Sequence, residues 1–169
     1  MAQAAAPVVS PVTATFQTFL SDPVFATYVL CVVILTVKML VVSFNVTRLR
    51  LSLKAFKYEE DYVKAPKEKA KELLTKTANH PRITRAYGLH TNDMENIYVF
   101  YTIGLLFALT SPSVFYAKAL LWTYTGARVL HTVFYLASVQ PWRAVSYLVH
   151  VVAQVLMLVH IGSTVLTYL

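Results

Sequence analysis

The chain has 169 residues, of which 57% are hydrophobic and 14% charged, with a mean hydropathy of +0.55; a water-soluble domain of this size needs far less apolar surface, so the composition fits a polytopic membrane protein. The formal charge of +7 would suit a nucleic-acid partner. However, 11 of the 15 Lys and Arg residues fall between Arg48 and Arg85, the loop excess expected from membrane topology, and no recognition fold accompanies it, so nucleic acid is excluded as a partner.

In chain order, the stretch before Asp22 has a short low-complexity tract, Gln3–Ala6, and no basic n-region, which argues against a cleaved signal peptide. Ser21-Asp22-Pro23 supplies a cap residue followed by proline at the first helical position. It opens a first apolar span, Pro23–Thr47, whose one charge is Lys38. The single cysteine, Cys31, lies inside this span as a small apolar residue, which leaves no disulfide framework and no cysteine metal site. A loop over 48–83 follows, and its cations place it in the cytosol with both termini on the opposite side. Within it, Lys64–Thr77 alternates Lys with Glu and Ala and is read as a solvated face rather than a surface helix.

His80-Pro81 repeats the start signal before a second span, 84–110, which is polar in its cytosol-proximal third. Ser111-Pro112-Ser113 turns into a third, 113–137, with Lys118, Arg128 and His131; Ser138-Val139-Gln140-Pro141 leads to a fourth, 144–169, which has no formal charge. Connections this short force antiparallel neighbours. The expectation is one domain over 1–169: an all-α integral membrane four-helix bundle with antiparallel, up-down topology.

Positions three, four and seven apart share a helical face. On the second helix Gly88, Thr91, Asn92 and Glu95 align, while Asp93 points the other way. The third aligns Arg128, His131 and Tyr135, and the fourth Arg143, Tyr147 and His150. With Arg50 just beyond the first helix, these groups would form a polar pocket near the cytosolic membrane surface. Any one of them could be interhelical glue or a snorkelling anchor, but convergence from three helices at one depth favours a site. His131 and His150 sit among cations and phenols, not a ligand set, so no metal is expected. Gln154 and His160 read as packing contacts. Lys38 and Asp93 are two charges at nearly the same depth, roughly 12 to 14 Å by helical rise, and are read as a structural ion pair, with Arg128 close by.

His90-x-Asn92-Asp93-x-Glu95-Asn96-Ile97, then Gly126-Ala127-Arg128-Val129-x-His131-Thr132-x-x-Tyr135-Leu136, then Arg143-Ala144-x-Ser146-Tyr147 occur in this order. Together with Arg50, Lys54-Ala55-Phe56 and Glu60-Asp61, they resemble the membrane-associated proteins in eicosanoid and glutathione metabolism (MAPEG). The nearest branch is that of microsomal glutathione S-transferase, and the next that of microsomal prostaglandin E synthase. The resemblance implies a homotrimer in the endoplasmic reticulum membrane or the mitochondrial outer membrane. It also implies glutathione bound at protomer interfaces near the cytosolic face.

Glutathione carries two carboxylates, an ammonium and a thiol, so its site needs cations, an anion and a thiolate donor. Arg50, Arg128 and His90 are candidates for the carboxylates and Glu95 for the ammonium, with Asn92, His131 and Tyr135 beside them. Lowering a thiol pKa from about 8.5 to about 6.5 takes roughly 2.7 kcal/mol of preferential thiolate stabilisation. The resemblance and its charge give that role to Arg143, with Tyr147 and Tyr135 as neighbouring hydroxyl donors.

Family members usually carry an arginine where Gly88 stands, with Arg85 one turn earlier; this departure implies weaker glutathione affinity or recruitment of Arg85. Ala144 replaces the serine that follows the fourth-helix arginine in the synthase, and Thr91 replaces the arginine after the motif histidine. Both changes favour the transferase. The reading is a detoxifying glutathione transferase and peroxidase acting on lipophilic electrophiles or lipid hydroperoxides from the bilayer. The alternatives are a glutathione-dependent prostaglandin E synthase and, from another class, a non-catalytic scaffold or small transporter; the apolar lumenal halves count against conduction.

Overall fold

A computed structural model describes residues 11–62, 66–77 and 80–169. Among them the chain is wholly helical: α1 (Pro11–Ser21), α2 (Pro23–Ser52), α3 (Lys67–Thr77), α4 (Pro81–Leu109), α5 (Val114–Leu136) and α6 (Gln140–Leu166), with a 3₁₀ turn at Glu59–Asp61. The tract Gln3–Ala6 lies outside the described residues.

Helix starts follow local chemistry. Asp22 Oδ1 accepts from the backbone N–H groups of Val24 (2.7 Å) and Phe25 (2.8 Å), and Pro23 supplies a preset φ. His80 caps α4 without a side-chain bond, and Pro81 again opens the helix. Two residues in the short turns, Ser111 (φ 53°) and Ser138 (φ 64°), lie in the left-handed region, and there the chain reverses between α4 and α5 and between α5 and α6.

Four long helices share one core. α2 packs on α4 and α5, α4 on α5 and α6, and α5 most extensively on α6. The core centres on Cys31 and Leu35 of α2, Ile97, Phe100 and Phe107 of α4, Leu121 and Tyr124 of α5, and Met157 of α6. The rings of Phe100 and Tyr124 stack at 4.1 Å.

α2 and α6 are long and apolar enough to cross a membrane, yet only 28% and 22% of their most apolar stretches are buried, so neither behaves as the core helix of a soluble domain. Their outer faces present Val33, Val37, Val41 and Phe44, and Leu148, Val152, Val155 and Val159, all exposed. Apolar surface on this scale needs an apolar solvent; the chain is a membrane protein. Four spans are expected from the sequence, but α4 and α5 fall short of that apolar measure because their lengths also hold the polar groups described below.

Other boundaries differ from the sequence reading. α2 continues past Thr47 to Ser52, carrying Arg48 and Arg50 as helical residues, and α4 starts earlier, at Pro81. The Lys- and Glu-rich stretch is a helix, α3, with Ala70 buried and Leu73 and Leu74 half-buried. Ala, Leu, Lys and Glu are strong helix formers, and the small apolar stripe gives the helix something to bury. Tyr62 pins this region: its hydroxyl accepts from Phe56 N–H (3.2 Å), donates to Lys54 O (3.0 Å) and lies 3.3 Å from Thr77 Oγ1.

Candidate functional site

Polar side chains of four helices meet in a continuous network. Lys38 of α2 donates to Asp93 Oδ1 of α4, and Arg128 of α5 donates to the same oxygen. Arg128 also donates to Asn92 Oδ1 (2.9 Å) and Asn92 O (3.3 Å). Asn96 Nδ2 donates to Asn92 O (2.7 Å), and its amide oxygen lies 3.1 Å from His150 Nε2 on α6. His150 Nδ1 lies 3.2 Å from Ser146 O. The Tyr124 hydroxyl donates to Asn96 O (2.8 Å), and its ring meets the His150 ring edge-on, with centroids 5.5 Å apart.

This network reaches Arg143 through its backbone. His131 Nδ1 donates to Arg143 O (3.1 Å), and Ser146 Oγ donates to the same carbonyl (3.0 Å). The first turn of α6 is thereby tied to α5. The Arg143 guanidinium rests 4.9 Å from the centre of the Tyr135 ring and donates to Gln140 Oε1. With Pro81, Thr84 and Arg85 these two side chains line an open, polar cavity of about 450 Å³. The cavity pairs two guanidinium groups with a phenol at the N-terminal end of α6, where the helix dipole also favours negative charge. Its chemistry suits an anion.

The structure divides the residues that the sequence brings to one pocket. Arg143 and Tyr135 are half-buried and line the cavity. Tyr147 is 44% exposed, 4.9 Å from His150 and 6.3 Å from His131 between ring centroids. Arg128 is wholly buried; its Nη1 and Nη2 donate to Asn92 and Asp93, while its Nε has no hydrogen-bond partner, and the buried acid holds it in the core. Asn92 is turned the same way. His131 is 4% exposed and acts on the carbonyl of Arg143. His90 is half-buried and its Nδ1 has no hydrogen-bond partner. Glu95 is exposed on the outer face of α4, and no cation lies within ion-pair distance among the described residues. Arg50 stands apart, 3.7 Å from Asp61, lining a cavity of about 360 Å³ with Phe56, Lys57, Leu74 and Tyr87. Thr84 borders both this cavity and that of Arg143, so the two flank the first turn of α4.

The sequence reading named Arg85 and Gly88 but not what they touch. Arg85 donates to Tyr135 O (3.3 Å) and to Ser138 Oγ, capping the end of α5 while its guanidinium lines the Arg143 cavity. Gly88 faces the Tyr135 hydroxyl so closely that a methyl group there would stand 2.6 Å from the oxygen. Ser146 and Asn96, quoted only as motif letters, are links in the network. Gly88 did carry a signal, the loss of an expected arginine, but not its physical partner. His160 packs on Phe107 (5.3 Å) and Tyr116 (5.7 Å).

The MAPEG family model matches residues 28–163, and the chain belongs to that family. It is 37% identical over 132 residues to microsomal glutathione S-transferase 1 of Homo sapiens, covering 77% of this chain and 83% of the relative. Prostaglandin E synthase of Homo sapiens is 32% identical over 129 residues, covering 76% and 81%. Microsomal glutathione S-transferase 1 of Rattus norvegicus is 36% identical over 118 residues, covering 69% and 74%.

Proposed function

We propose that the chain is a microsomal-type glutathione transferase that adds the glutathione thiolate to lipophilic electrophiles and reduces lipid hydroperoxides. The observation that carries this reading is the placement of Arg143. In a family whose relatives include a glutathione transferase at 37% identity, its guanidinium lies over Tyr135 in a polar cavity at the start of α6, and its backbone is fixed by His131 and Ser146. A thiolate placed there meets a fixed cation, a phenol and a helix N-terminus without reorganisation, and preorganised charge of this kind is what favours the ionised thiol. Tyr147, exposed one turn further along α6, is the second hydroxyl donor.

The remaining groups fall into place around it. Glu95 takes the ammonium, and Arg50, His90 and Arg85 are the cations open to carboxylates. Arg128, Asn92 and His131 hold the scaffold rather than the ligand. Glu95 and Arg143 both present themselves on outer faces, which suits a site completed between copies in a trimer of antiparallel four-span bundles. The cation-rich segment around 48–83 orients the site to the cytosolic side of the endoplasmic reticulum or mitochondrial outer membrane. An acid such as Glu95 bared to lipid is costly, so its exposure itself favours a covered, polar setting.

Prostaglandin E synthase is the second reading, favoured by relatives at 32% identity; Ala144 and Thr91 weigh against it. The deciding experiment is a parallel assay of detergent-purified protein with glutathione against an aryl halide, a lipid hydroperoxide and prostaglandin H. Turnover of the first two supports the transferase and peroxidase. Turnover of prostaglandin H alone replaces that reading.

A further inference from the structure

A second crevice meets the Arg143 cavity only at Arg85. It runs between α2, α4 and α5, with a volume of about 660 Å³, and is walled by Val41, Val42, Leu49, Ala86, Leu89 and Leu136. Arg48, Arg82 and Arg85 border it, with Asn45 beside Arg48, and Lys38 closes it. None of the three arginines has a carboxylate within 4.0 Å among the described residues, whose ion pairs use only Asp61 and Asp93 as acids. Lys38 is held by Asp93, about 15 Å deeper along α2 than Arg48 at about 1.5 Å rise per residue. A long apolar wall therefore lies between a triply cationic rim and a polar floor whose lysine is already paired.

We propose that this crevice binds an anionic diacyl phospholipid, its phosphate-bearing headgroup on Arg48 and Arg82 and one acyl chain along Val41, Val42 and Leu89. Charge complementarity selects the occupant: a zwitterionic or neutral lipid leaves the rim uncompensated, and a soluble anion leaves the apolar wall bare. Basic pockets between membrane helices recognise anionic headgroups on these terms, and the volume lies within the range of small-molecule sites. Simple snorkelling to bulk phosphates, the alternative for any one arginine, does not use the crevice.

The test is native mass spectrometry of the full chain, purified in detergent, delipidated and offered phosphatidylserine, phosphatidylcholine and oleate in equal amounts. Phosphatidylserine should be retained at one per chain, with roughly tenfold preference over phosphatidylcholine as expected for two arginines at a headgroup. Arg48→Gln/Arg82→Gln should abolish that preference, and Val41→Trp, which fills the crevice from an exposed position, should lower retention while the arginines remain. Equal retention of phosphatidylcholine, preference for oleate, unchanged selectivity in the double variant or unchanged retention in Val41→Trp each overturns the proposal. All three substitutions alter exposed side chains outside the Arg143 site, so thermal unfolding near that of the parent checks that each variant is folded.

Discussion

Lys38 and Arg128 donate to the same oxygen of Asp93, while the other carboxylate oxygen, Oδ2, is buried and accepts no hydrogen bond. Two cations thus share one anion, and the cluster carries a net positive charge in the middle of the packed helices. Its response to mutation is therefore asymmetric. Lys38→Met leaves Arg128 and Asp93 as a balanced pair, whereas Asp93→Leu leaves two bare cations.

Asp93→Leu should accordingly destabilise the protein by about 3 to 5 kcal/mol, the usual consequence of stripping the counterion from a buried charge. Lys38→Met should cost markedly less, and adding it to Asp93→Leu should recover part of the loss but not all, because Arg128 remains unpaired. Thermal denaturation in detergent measures the three variants. Equal losses for the two single variants would show that Arg128 does not share the carboxylate.

Gly88 and Tyr135 form a steric pair. Gly88→Ala places a methyl group 2.6 Å from the hydroxyl oxygen but 3.7 Å from the ring carbon that bears it. The single variant should displace Tyr135, loosen Arg143 and reduce turnover with glutathione by roughly tenfold, the scale of one misplaced charge-assisted contact. Tyr135→Phe removes the oxygen, so Gly88→Ala/Tyr135→Phe should match Tyr135→Phe alone. A double variant no better than Gly88→Ala would place the clash elsewhere.

Arg143→Ala should remove most of the ultraviolet thiolate absorbance seen when glutathione is mixed with the parent protein. A charge-assisted hydrogen bond contributes about 1.5 to 3 kcal/mol, so the thiolate-to-thiol ratio should fall roughly ten- to hundredfold. Tyr147→Phe should lower the signal less. Equal absorbance in Arg143→Ala and the parent would move the role to the phenols.

Glu95→Gln tests the ammonium contact. Removing the charge but keeping the shape should weaken glutathione binding by roughly tenfold or more, as for other ionic hydrogen bonds, with the oligomer unchanged by light scattering. Calorimetric titration with glutathione supplies the number. An unaltered Kd would remove Glu95 from the site.

The helices were legible where apolar runs are punctuated by proline and a cap, as at Asp22-Pro23 and His80-Pro81. The end of α2 was not, because Arg48 and Arg50 interrupt the apolar run without interrupting the helix. α3 was missed for a related reason: its apolar stripe is only Ala70, Leu73 and Leu74. Equal depth along two helices placed Lys38 level with Asp93, and the two side chains meet. Arg128, read as close to that pair and also as a candidate for a glutathione carboxylate, does join the pair; helical spacing gives the direction of a side chain from its own axis but not every neighbour it meets. Asn92 beside Asp93 is the neighbour that the spacing did not supply.

The ion cluster also bears on how the chain is made. In the four-span reading proposed above, α4 carries Asp93 and α5 carries Arg128, joined only by the turn at 110–113. Neither helix can partition into lipid by itself without a naked charge, whereas the two together enter with that charge already matched. The pair should thus leave the translocation machinery as one hairpin, with α4 held back until α5 has been synthesised.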